Sequence, residues 1–514
     1  MFDRLKRLNI FLAINALAFA MLFFIIKGGM PALYIPFYIL VSLYTAYNVV
    51  IFIYSLKWHH DAPIVSQAGT PKVAILYMTY NDLNEQSLDS IFNLSYNNKE
   101  IWIVDDSTNQ QIRDRIDALA QNRAKVVRRD NRKGFKAGAI NNAMRNIGAE
   151  YISICDSDEM LPRDYIERSL MYFTNDDIAF VQASHYAYNK VNSWTELMGY
   201  GVDLHWETYQ DYRNKHAVVN FLGHGALIRT SALRDVGGIP ELVSEDIALT
   251  VELYNRGYKG VFARSVRVGE AFPQTYHQFK KRHKKWSMGA VEFMKKYWLK
   301  ILTSRKLSVW QKEDLFLSML SLPMNALLII FILMASFIHI PFNYIVIVIY
   351  VATVLSPSLM FMKLDNTKKL MKSVALNAVA FMSLFPTSLF YVLKGFVSPT
   401  FLVTGQKESA KNPTFLNAMS GIAKAAVILA DLIVLVILRT SFSPLTAAAF
   451  AMAVIISAVL YLKIDALMGI RNSGVSNEIC ASIVVGMAMM IFSGGINLMG
   501  AAIMATPLYY VLWG

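Results

Sequence analysis

The sequence has little cysteine and little charge. Two cysteines, Cys155 and Cys480, occur among 514 residues, so no disulfide framework can be inferred. Charged residues make up 17% of the chain and hydrophobic residues 55%, a balance too apolar for an ordinary soluble protein. Internal repeats and low-complexity tracts are also absent from the sequence. These features predict a membrane protein with a part that faces water.

Two apolar runs near the N-terminus, residues 10–26 and 33–56, carry no charged side chain. Each is long enough to cross about 30 Å of hydrocarbon as a helix. A signal peptide is the alternative interpretation of the first run, but no small-residue cleavage site follows it and the second run comes at once. We therefore expect two transmembrane helices within residues 1–60.

The net charge of +13 lies largely beside apolar runs, as the positive-inside rule predicts. The basic residues concerned include Arg4, Lys6, Arg7, Lys57, Lys363, Lys368, Lys369 and Lys372. Topology explains this charge more simply than a nucleic-acid partner does, so no such partner is expected. The N-terminus and Lys57 are placed on the cytosolic side.

Between about residues 70 and 300 the composition changes to that of an α/β domain. Short apolar runs predict buried strands at 73–76, 101–104 and 151–154. Polar, helix-compatible stretches lie at 109–123 and 137–147. This alternation is typical of a Rossmann-like domain on a mainly parallel sheet, and we place a cytosolic domain here.

Further apolar runs follow this region, at 315–338, 341–362, 374–393, 415–438, 445–462 and 479–512. The last run is too long for one upright span, and Gly494, Gly495 and Pro507 would let it bend or re-enter. Residues 374–393 either cross the membrane or lie flat on its inner surface. We prefer the interfacial helix, which keeps the basic stretch 407–411 inside.

The strongest local signal is a pair of carboxylates, Asp156 and Asp158, directly after the predicted strand at 151–154. Oxygen ligands with open coordination positions suit Mg²⁺ or Mn²⁺, which offsets the charge of a departing substrate diphosphate. The motif alone is weak, because surface turns also contain Asp-x-Asp.

Polar residues also follow the other two predicted strands, at the edge where α/β sheets bind ligands. They are Thr79, Tyr80, Asn81 and Asp82 after the first strand, and Asp105 and Asp106 after the second. Tyr80 can stack on a nucleotide base and Asp105 can accept a hydrogen bond from it. Turn formation is the alternative, because Asn and Asp favour turns.

Three later segments carry candidate cations and a candidate base. Lys136, at the start of a helix, can hold a phosphate or form a solvated basic turn. Glu245 and Asp246 precede a helix-like stretch, where Asp246 is a candidate general base or part of an ordinary helix start. The basic cluster 280–285 precedes Trp286, and it can grip a diphosphate or form a membrane-proximal patch.

The order of these motifs resembles the processive membrane glycosyltransferases of family 2, the cellulose, hyaluronan and β-glucan synthase group. The resemblance covers about residues 70–410. Its motifs are Thr79-Tyr80-Asn81, Asp105-Asp106, Lys136-Ala137-Gly138 with Ile140-Asn141-Asn142-Ala143, Asp156-x-Asp158, and Glu245-Asp246. Five ordered motifs are far more specific than any one. They imply a GT-A catalytic domain joined to an α-helical transmembrane channel domain.

The resemblance also implies a role for each matching residue. Nucleotide-sugar binding is implied for Thr79, Tyr80, Asp82, Asp105, Lys136, Asp156, Arg282 and Lys285, and metal binding for Asp156 and Asp158. Catalysis is implied for Asp246 with Glu245 beside it, and acceptor binding for Trp286, Gly223 and His224. The segment 221–225 is similar to that of periplasmic-glucan glucosyltransferases.

Residues 401–411 resemble the gating loop, FxVTxK, that covers the nucleotide site in cellulose synthases. The matching residues are Phe401, Val403, Thr404 and Lys407, with the lysine one residue late. A loop that must reach a cytosolic active site favours the interfacial placement of 374–393.

One motif departs from the family. Where the family has QxxRW, this chain has Arg282-His283-Lys284-Lys285-Trp286. Lys285 keeps a charge for phosphate but loses the planar fork of arginine. Arg282 replaces a neutral group near the acceptor, which indicates a different acceptor or linkage.

We therefore predict an inverting hexosyltransferase that extends a β-linked polysaccharide from a UDP-sugar, with glucose as first choice, and translocates the polymer. Its predicted cofactor is Mg²⁺ or Mn²⁺. The predicted partners are the UDP-sugar donor, the growing polysaccharide and membrane lipids, and a homo-oligomer is left open. The predicted layout is transmembrane helices at 1–60, catalytic domain at 70–300, interfacial and transmembrane helices at 301–400, gating loop at 401–411 and transmembrane helices at 412–514.

Two alternatives remain. A non-processive transferase acting on a polyprenyl phosphate or lipid needs the same carboxylates, but neither a gating loop nor an acceptor tryptophan. A polytopic transporter with a vestigial nucleotide-binding domain would need no catalytic base. Both place the protein in the cell membrane.

Overall fold

The structure is a computed structural model that describes residues 2–28, 32–57, 62–66, 69–320 and 355–397, with Met324, Ala352 and Thr353. The predicted gating loop at 401–411 and the helices expected at 412–514 lie outside the described residues. So does most of the apolar runs expected at 315–338 and 341–362.

The chain begins with two long helices, α1 (Phe2–Lys27) and α2 (Ile35–Lys57), which pack against each other. The segments Ile10–Lys27 and Ile35–Lys57 have mean hydropathies of 2.3 and 1.8, and both are long and apolar enough to cross a membrane. Phe19 is 70% exposed on α1, as expected of a side chain that faces lipid. The first two apolar runs are thus confirmed as helices of membrane-spanning length.

An eight-stranded mixed sheet forms the centre of the α/β domain. Its strands are β1 (Val73–Thr79), β2 (Lys99–Asp105), β3 (Lys125–Val127), β4 (Tyr151–Asp156), β5 (Glu159–Met160), β6 (Ile178–Ala187), β7 (Ala226–Arg229) and β8 (Lys259–Glu270). Their order is β3-β2-β1-β4-β7-β6-β8-β5. Strands β1 to β4 are parallel, whereas β5 and β7 run opposite to the others. The three predicted strands are confirmed as β1, β2 and β4.

Helices cover both faces of this sheet. They are α3 (Glu85–Phe92), α4 (Gln110–Ala120), α5 (Phe135–Met144), α6 (Tyr165–Leu170), α7 (Ser193–His205), α8 (Arg213–His216), α9 (Thr230–Asp235) and α10 (Glu245–Arg256), with a π-helical turn at Trp206–Gln210. Alternate residues of β1 enter two different cores, Ala74 and Leu76 on one face and Ile75 and Tyr77 on the other. Burial on both faces explains why this strand is a continuous apolar run in the sequence.

Four more helices follow the sheet: α11 (Tyr276–Thr303), α12 (Val309–Leu320), α13 (Thr367–Ser383) and α14 (Phe385–Val397). Helix α14 lies along α11, where Lys295 Nζ donates to the Phe396 carbonyl at 2.6 Å. Helix α13 packs beside α7, where Lys369 Nζ lies 3.1 Å from Glu196 Oε1. Both helices of the 374–393 region therefore contact the catalytic domain, and their interfacial position stays a prediction.

Buried polar side chains join α2 to the α/β domain. Arg213 Nη1 lies 2.6 Å from Asp314 Oδ2, and these side chains are 2% and 0% exposed. Tyr47 of α2 lies 2.8 Å from the Tyr212 hydroxyl and donates to Asp314 Oδ1 at 3.1 Å. We call these four residues the polar junction. A buried charge pair is stable only while each partner keeps its hydrogen bonds. Tyr47 supplies such a bond to Asp314, so the polar junction holds α2 against the domain.

Candidate active site

The carboxyl ends of β1, β2 and β4 meet at one edge of the sheet. The register places Thr79 opposite Asp105, and Asp156 ends the strand on the other side of β1. Asp82 turns back onto this edge, where its Oδ1 accepts hydrogen bonds from Thr79 Oγ1 at 3.0 Å and Tyr80 N at 2.7 Å. Burial raises the pKa of Asp82. The residues predicted at the strand ends are therefore brought together.

The residues predicted to meet the nucleotide base are held by arginines. The Arg132 guanidinium lies 3.4 Å from the centre of the Tyr80 ring. Arg128 Nε donates to Asp105 Oδ2 at 2.7 Å, and Ser107 N donates to its Oδ1 at 2.8 Å. One face of Tyr80 is thus covered, and both oxygens of Asp105 have partners within the protein.

Lys136 points into the centre of the site from the first turn of α5. Its Nζ lies 2.7 Å from Asp156 Oδ1 and donates to the Gly223 carbonyl at 2.9 Å. Burial opposes the ammonium charge, but Asp156 and Glu245 outweigh it and raise the pKa of Lys136. The same helix requires glycine at position 138, because a Cβ there would lie 2.1 Å from the Lys133 carbonyl oxygen. A permanently charged amine therefore faces the space where a diphosphate would lie.

Asp156 and Asp158 offer the oxygen ligands expected of a site for a hard divalent cation. Burial opposes ionisation of Asp156, but Lys136 and His224 outweigh it and lower its pKa. Burial and the neighbouring Asp156 raise the pKa of Asp158 to about 7. The repulsion between the two carboxylates opposes ionisation of both at once. A bound cation would remove this repulsion, so the pair suits a cation site.

Glu245 and Asp246 begin α10, and Asp246 lies beside Gly223. An added Cβ on Gly223, whose φ is +85°, would lie 3.9 Å from Asp246 Oδ2 and 3.7 Å from Lys136 Nζ. Burial and the adjacent Asp246 raise the pKa of Glu245 to about 7, and burial also raises the pKa of Asp246. The Lys136 amine and the Asp246 carboxylate thus both lie beside one glycine.

Arg282 and Trp286 lie one turn apart on α11. Arg282 Nη1 pairs with Glu270 Oε1 at 3.0 Å, and its guanidinium lies 4.4 Å from the centre of the Trp286 ring. Trp286 keeps 37% of its surface exposed. Arg282 was predicted at the nucleotide sugar, and the structure places its guanidinium between Glu270 and the indole.

His224 lies next to the Asp156–Asp158 pair. Its Nδ1 lies 2.7 Å from Glu159 Oε1. Burial disfavours the charged imidazole, but Glu159, Asp156 and Glu270 outweigh it and raise the pKa of His224 to about 10. The ring of His185 lies 4.8 Å from that of His224. The predicted acceptor residue His224 therefore lies against a buried carboxylate.

Sequence reasoning missed several residues of this site. They are Arg128, Arg129, Arg132, Glu159, His185 and Glu270. The basic run at 128–133 and the glutamate directly after Asp158 were available signals. His185, a single histidine inside strand β6, gave no such signal in the sequence. Of the predicted residues, Phe401, Val403, Thr404 and Lys407 lie outside the described part of the chain.

Comparisons with known proteins find sequences similar to this chain. Residues 151–364 match the family model described as glycosyl transferase family group 2. A probable glucomannan 4-beta-mannosyltransferase 9 from Oryza sativa subsp. japonica is 28% identical over 273 residues, 49% of this chain and 52% of the relative. A probable glucomannan 4-beta-mannosyltransferase 11 from Arabidopsis thaliana is 29% identical over 225 residues, 41% of this chain and 51% of the relative. The chain thus spans about half the length of these curated relatives.

Among solved structures, the mannosyltransferase PcManGT from Pyrobaculum calidifontis, in complex with GDP-Man and Mn²⁺, matches 70% of this chain and 97% of its own. Its sequence identity is 18% and its TM-score 0.44. The matched family region contains the Asp156–Asp158 pair, His224, the Glu245–Asp246 pair and Trp286. This region and the curated relatives make the chain similar to family 2 glycosyltransferases of the cellulose synthase group, the resemblance that the order of its motifs predicted.

Proposed function

We propose that this protein is an inverting, membrane-embedded polysaccharide synthase that adds mannosyl units from a nucleoside diphosphate mannose to a β-linked chain. The observation that carries the proposal is the convergence of Lys136, Asp156 and Asp246 around Gly223. The names of the curated relatives support mannose as the sugar. The glucose donor expected from the sequence is not retained, because those relatives are mannosyltransferases.

The donor diphosphate lies between Lys136 and the Asp156–Asp158 pair. A bound Mg²⁺ or Mn²⁺ supplies positive charge there and stabilises the departing diphosphate. Lys136 contributes a second positive charge on the other side, and its present contact with Asp156 is exchanged for one with phosphate. Tyr80 and its Arg132 partner lie at the nucleotide end of the same edge.

Asp246, which also lies beside Gly223, acts as the general base. It accepts the proton of the acceptor hydroxyl while that oxygen attacks the anomeric carbon in line. The new carbon–oxygen bond forms as the bond to the diphosphate oxygen breaks, so an α-linked donor gives a β-linked product. Burial and the adjacent Asp246 raise the pKa of Glu245 to about 7, and burial raises the pKa of Asp246.

The acceptor chain lies over Trp286, whose exposed indole offers a flat face to a sugar ring. The proposed synthase repeats this transfer and passes the polymer through its membrane helices. Residues 401–411 close over its nucleotide site. The exposed, membrane-length α1 and the contact of α2 with the domain through the polar junction support a site held at the membrane.

The test uses the purified full-length protein in lipid nanodiscs with Mn²⁺ and, separately, GDP-mannose and the common UDP-sugars. We expect a long product from the mannose donor that a β-mannanase digests. A single sugar added to a lipid favours the non-processive alternative, and release of nucleotide without any product contradicts the proposal. Asp246→Asn should abolish synthesis, whereas Asp235→Asn, an exposed carboxylate at the end of α9, serves as the matched control.

A further inference from the structure

Three side chains from separate parts of the chain meet beneath the Asp156–Asp158 pair. Glu159 comes from β5, His185 from β6 and His224 from the segment that precedes β7. One ligand atom of each lies within 4.8 Å of the other two. The side chains of Glu159 and His185 are fully buried, and that of His224 is 20% exposed. We call these three residues the histidine cluster.

Glu159 is oriented by the backbone and presents one oxygen to both imidazoles. Its Oε2 accepts a hydrogen bond from Asp156 N at 2.9 Å. Its Oε1 lies 2.7 Å from His224 Nδ1 and 3.9 Å from His185 Nε2. A carboxylate removed from water in this way requires a positive charge beside it.

The Nε2 atom of His185 faces the Glu159 carboxylate and can act as an acceptor. Its Nδ1 lies 3.4 Å from Glu270 Oε2 and donates the ring proton to it, because an ionised carboxylate only accepts. The Gln182 amide nitrogen, a donor, lies 3.5 Å from His185 Nε2. Two hydrogen bonds determine the orientation of this amide. Gln182 Nε2 donates to the His224 carbonyl at 2.9 Å, and Gln182 Oε1 accepts from Leu222 N at 3.0 Å.

His185 Nε2 and Glu159 Oε1 therefore face each other 3.9 Å apart inside the protein. A cation between them would be attracted by both atoms. A carboxylate that accepts from the other nitrogen of the ring, as Glu270 does here, is the usual neighbour of a metal-binding histidine. Trp206 stacks on His185 with ring centres 4.3 Å apart and planes at 19°, so the ring is held in place.

We propose that the histidine cluster binds a divalent transition-metal cation of the Zn²⁺ class, distinct from the cation expected at Asp156 and Asp158. Two imidazole nitrogens and one carboxylate oxygen form a ligand set that suits Zn²⁺ or Co²⁺, whereas Mg²⁺ prefers oxygen ligands alone. The metal and the proton on His224 Nδ1 compete for the same atom, so binding releases a proton.

The cation would join three elements at the acceptor side of the site. Glu159 and His185 belong to the sheet, while His224 follows Gly223, whose carbonyl receives Lys136. Gly225 allows this approach, because an added Cβ there would lie 2.3 Å from His185 Nε2. Coordination of His224 would thus hold the segment that separates Lys136 from Asp246.

The experiment measures metal binding rather than transfer, so it is independent of the proposed function. Full-length protein is stripped with a chelator and titrated, without nucleotide, with Zn²⁺ by calorimetry and with Co²⁺ by visible absorption. Besides any ion held at Asp156 and Asp158, we expect one ion per chain that gives the Co²⁺ absorption bands of nitrogen coordination, and a higher thermal unfolding midpoint with Zn²⁺. Glu159→Gln and His185→Asn should each weaken binding about 100-fold or more.

Two control variants decide where the ion lies. Asp158→Asn and His205→Asn, an exposed histidine of α7 outside the cluster, should bind as the unaltered protein does. Absence of Zn²⁺ and Co²⁺ binding in the unaltered protein overturns the proposal and leaves an ion pair between Glu159 and His224. Binding that is lost in Asp158→Asn but kept in His185→Asn overturns it too, because the ion then belongs to the paired aspartates. The Co²⁺ spectrum of the unaltered protein decides the matter if a cluster variant fails to fold.

Discussion

Lys136 and Asp156 form an ion pair in the centre of the active site, with 2.7 Å between Nζ and Oδ1. In the proposed mechanism, donor binding would exchange this pair for two new contacts, one between Lys136 and a phosphate and one between Asp156 and the metal. The pair also holds the site together before the donor arrives, because it neutralises charge in a buried position.

Replacing Lys136 tests its role at the diphosphate. Lys136→Met removes a charge that lies beside the leaving group, and we expect kcat/KM for the donor to fall about 10²-fold to 10³-fold. Lys133→Met, an exposed lysine of the preceding loop, should stay near the unaltered rate. Initial rates at varied donor concentration measure the effect. An unchanged kcat/KM in Lys136→Met would remove the lysine from the mechanism.

Asp246 and Glu245 are adjacent carboxylates with different expected roles. Asp246→Asn removes the base, and we expect kcat to fall about 10²-fold to 10⁴-fold. Glu245→Gln keeps the base and should cost less. Single-turnover transfer separates the two, with Asp235→Asn as the control. Equal losses in both variants would contradict the assignment of the base to Asp246.

The charge shared by these carboxylates predicts a pH dependence near neutrality. Burial and Asp246 raise the pKa of Glu245 to about 7, and burial raises that of Asp246. A carboxyl whose pKa is raised holds its proton to higher pH, and a protonated base cannot accept another. We therefore expect kcat/KM to rise with pH as the pair ionises, above the ordinary range of a carboxyl group, and then to level.

Glu245→Gln provides the control for this profile. Removing the neighbouring negative charge makes ionisation of Asp246 easier, so the rising part of the pH profile should move to lower pH. A profile of kcat/KM for the donor over this range, recorded for both forms, measures the shift. A movement to higher pH would show that the two groups do not repel each other.

Arg282 stacks on Trp286 and is held by Glu270, so it should position the acceptor. Arg282→Gln restores the residue usual in the family, and loss of a cation–π contact of about 0.5 to 2 kcal/mol predicts an acceptor KM raised by roughly 2-fold to 30-fold. The donor KM should remain within about twofold. Arg282→Lys keeps the charge without the planar group and should resemble Arg282→Gln. A change confined to the donor KM would place Arg282 at the nucleotide sugar instead, as the sequence predicted.

The polar junction predicts a large effect on stability far from the chemistry. Asp314→Ala leaves Arg213 buried without its partner, which should lower the free energy of unfolding by about 3 to 5 kcal/mol. The double variant Arg213→Met with Asp314→Leu should recover part of that loss, because no charge is then left unpaired. Thermal unfolding in detergent, followed by tryptophan fluorescence, compares the variants. Additive losses in the double variant would contradict a coupled pair.

Several parts of the fold could be predicted because their causes are local. The strands β1, β2 and β4 are buried on both faces, so each is a continuous apolar run that sequence alone reveals. The parallel arrangement of these strands then brings Thr79, Asp105 and Asp156 to one edge. The site residues that follow strand ends were found for the same reason.

Other parts depended on strands that are distant in the sequence. Strand β7 enters the sheet antiparallel between β4 and β6, and only this pairing brings His224 to Glu159 and His185. The ion pairs of Arg128 with Asp105 and of Arg282 with Glu270 join long side chains that can adopt many rotamers. No periodicity in the sequence signals such contacts.

The sequence by itself determined the α/β region, the membrane-length helices, and the motif order that carries the family resemblance, because hydrophobic patterns and short motifs are properties of neighbouring residues. Only the tertiary structure decided the partners of Lys136, the approach of Lys136 and Asp246 to Gly223, and the histidine cluster. Those contacts arise where loops and strands from distant segments pack, and their energies depend on burial and charge that exist only in the folded chain.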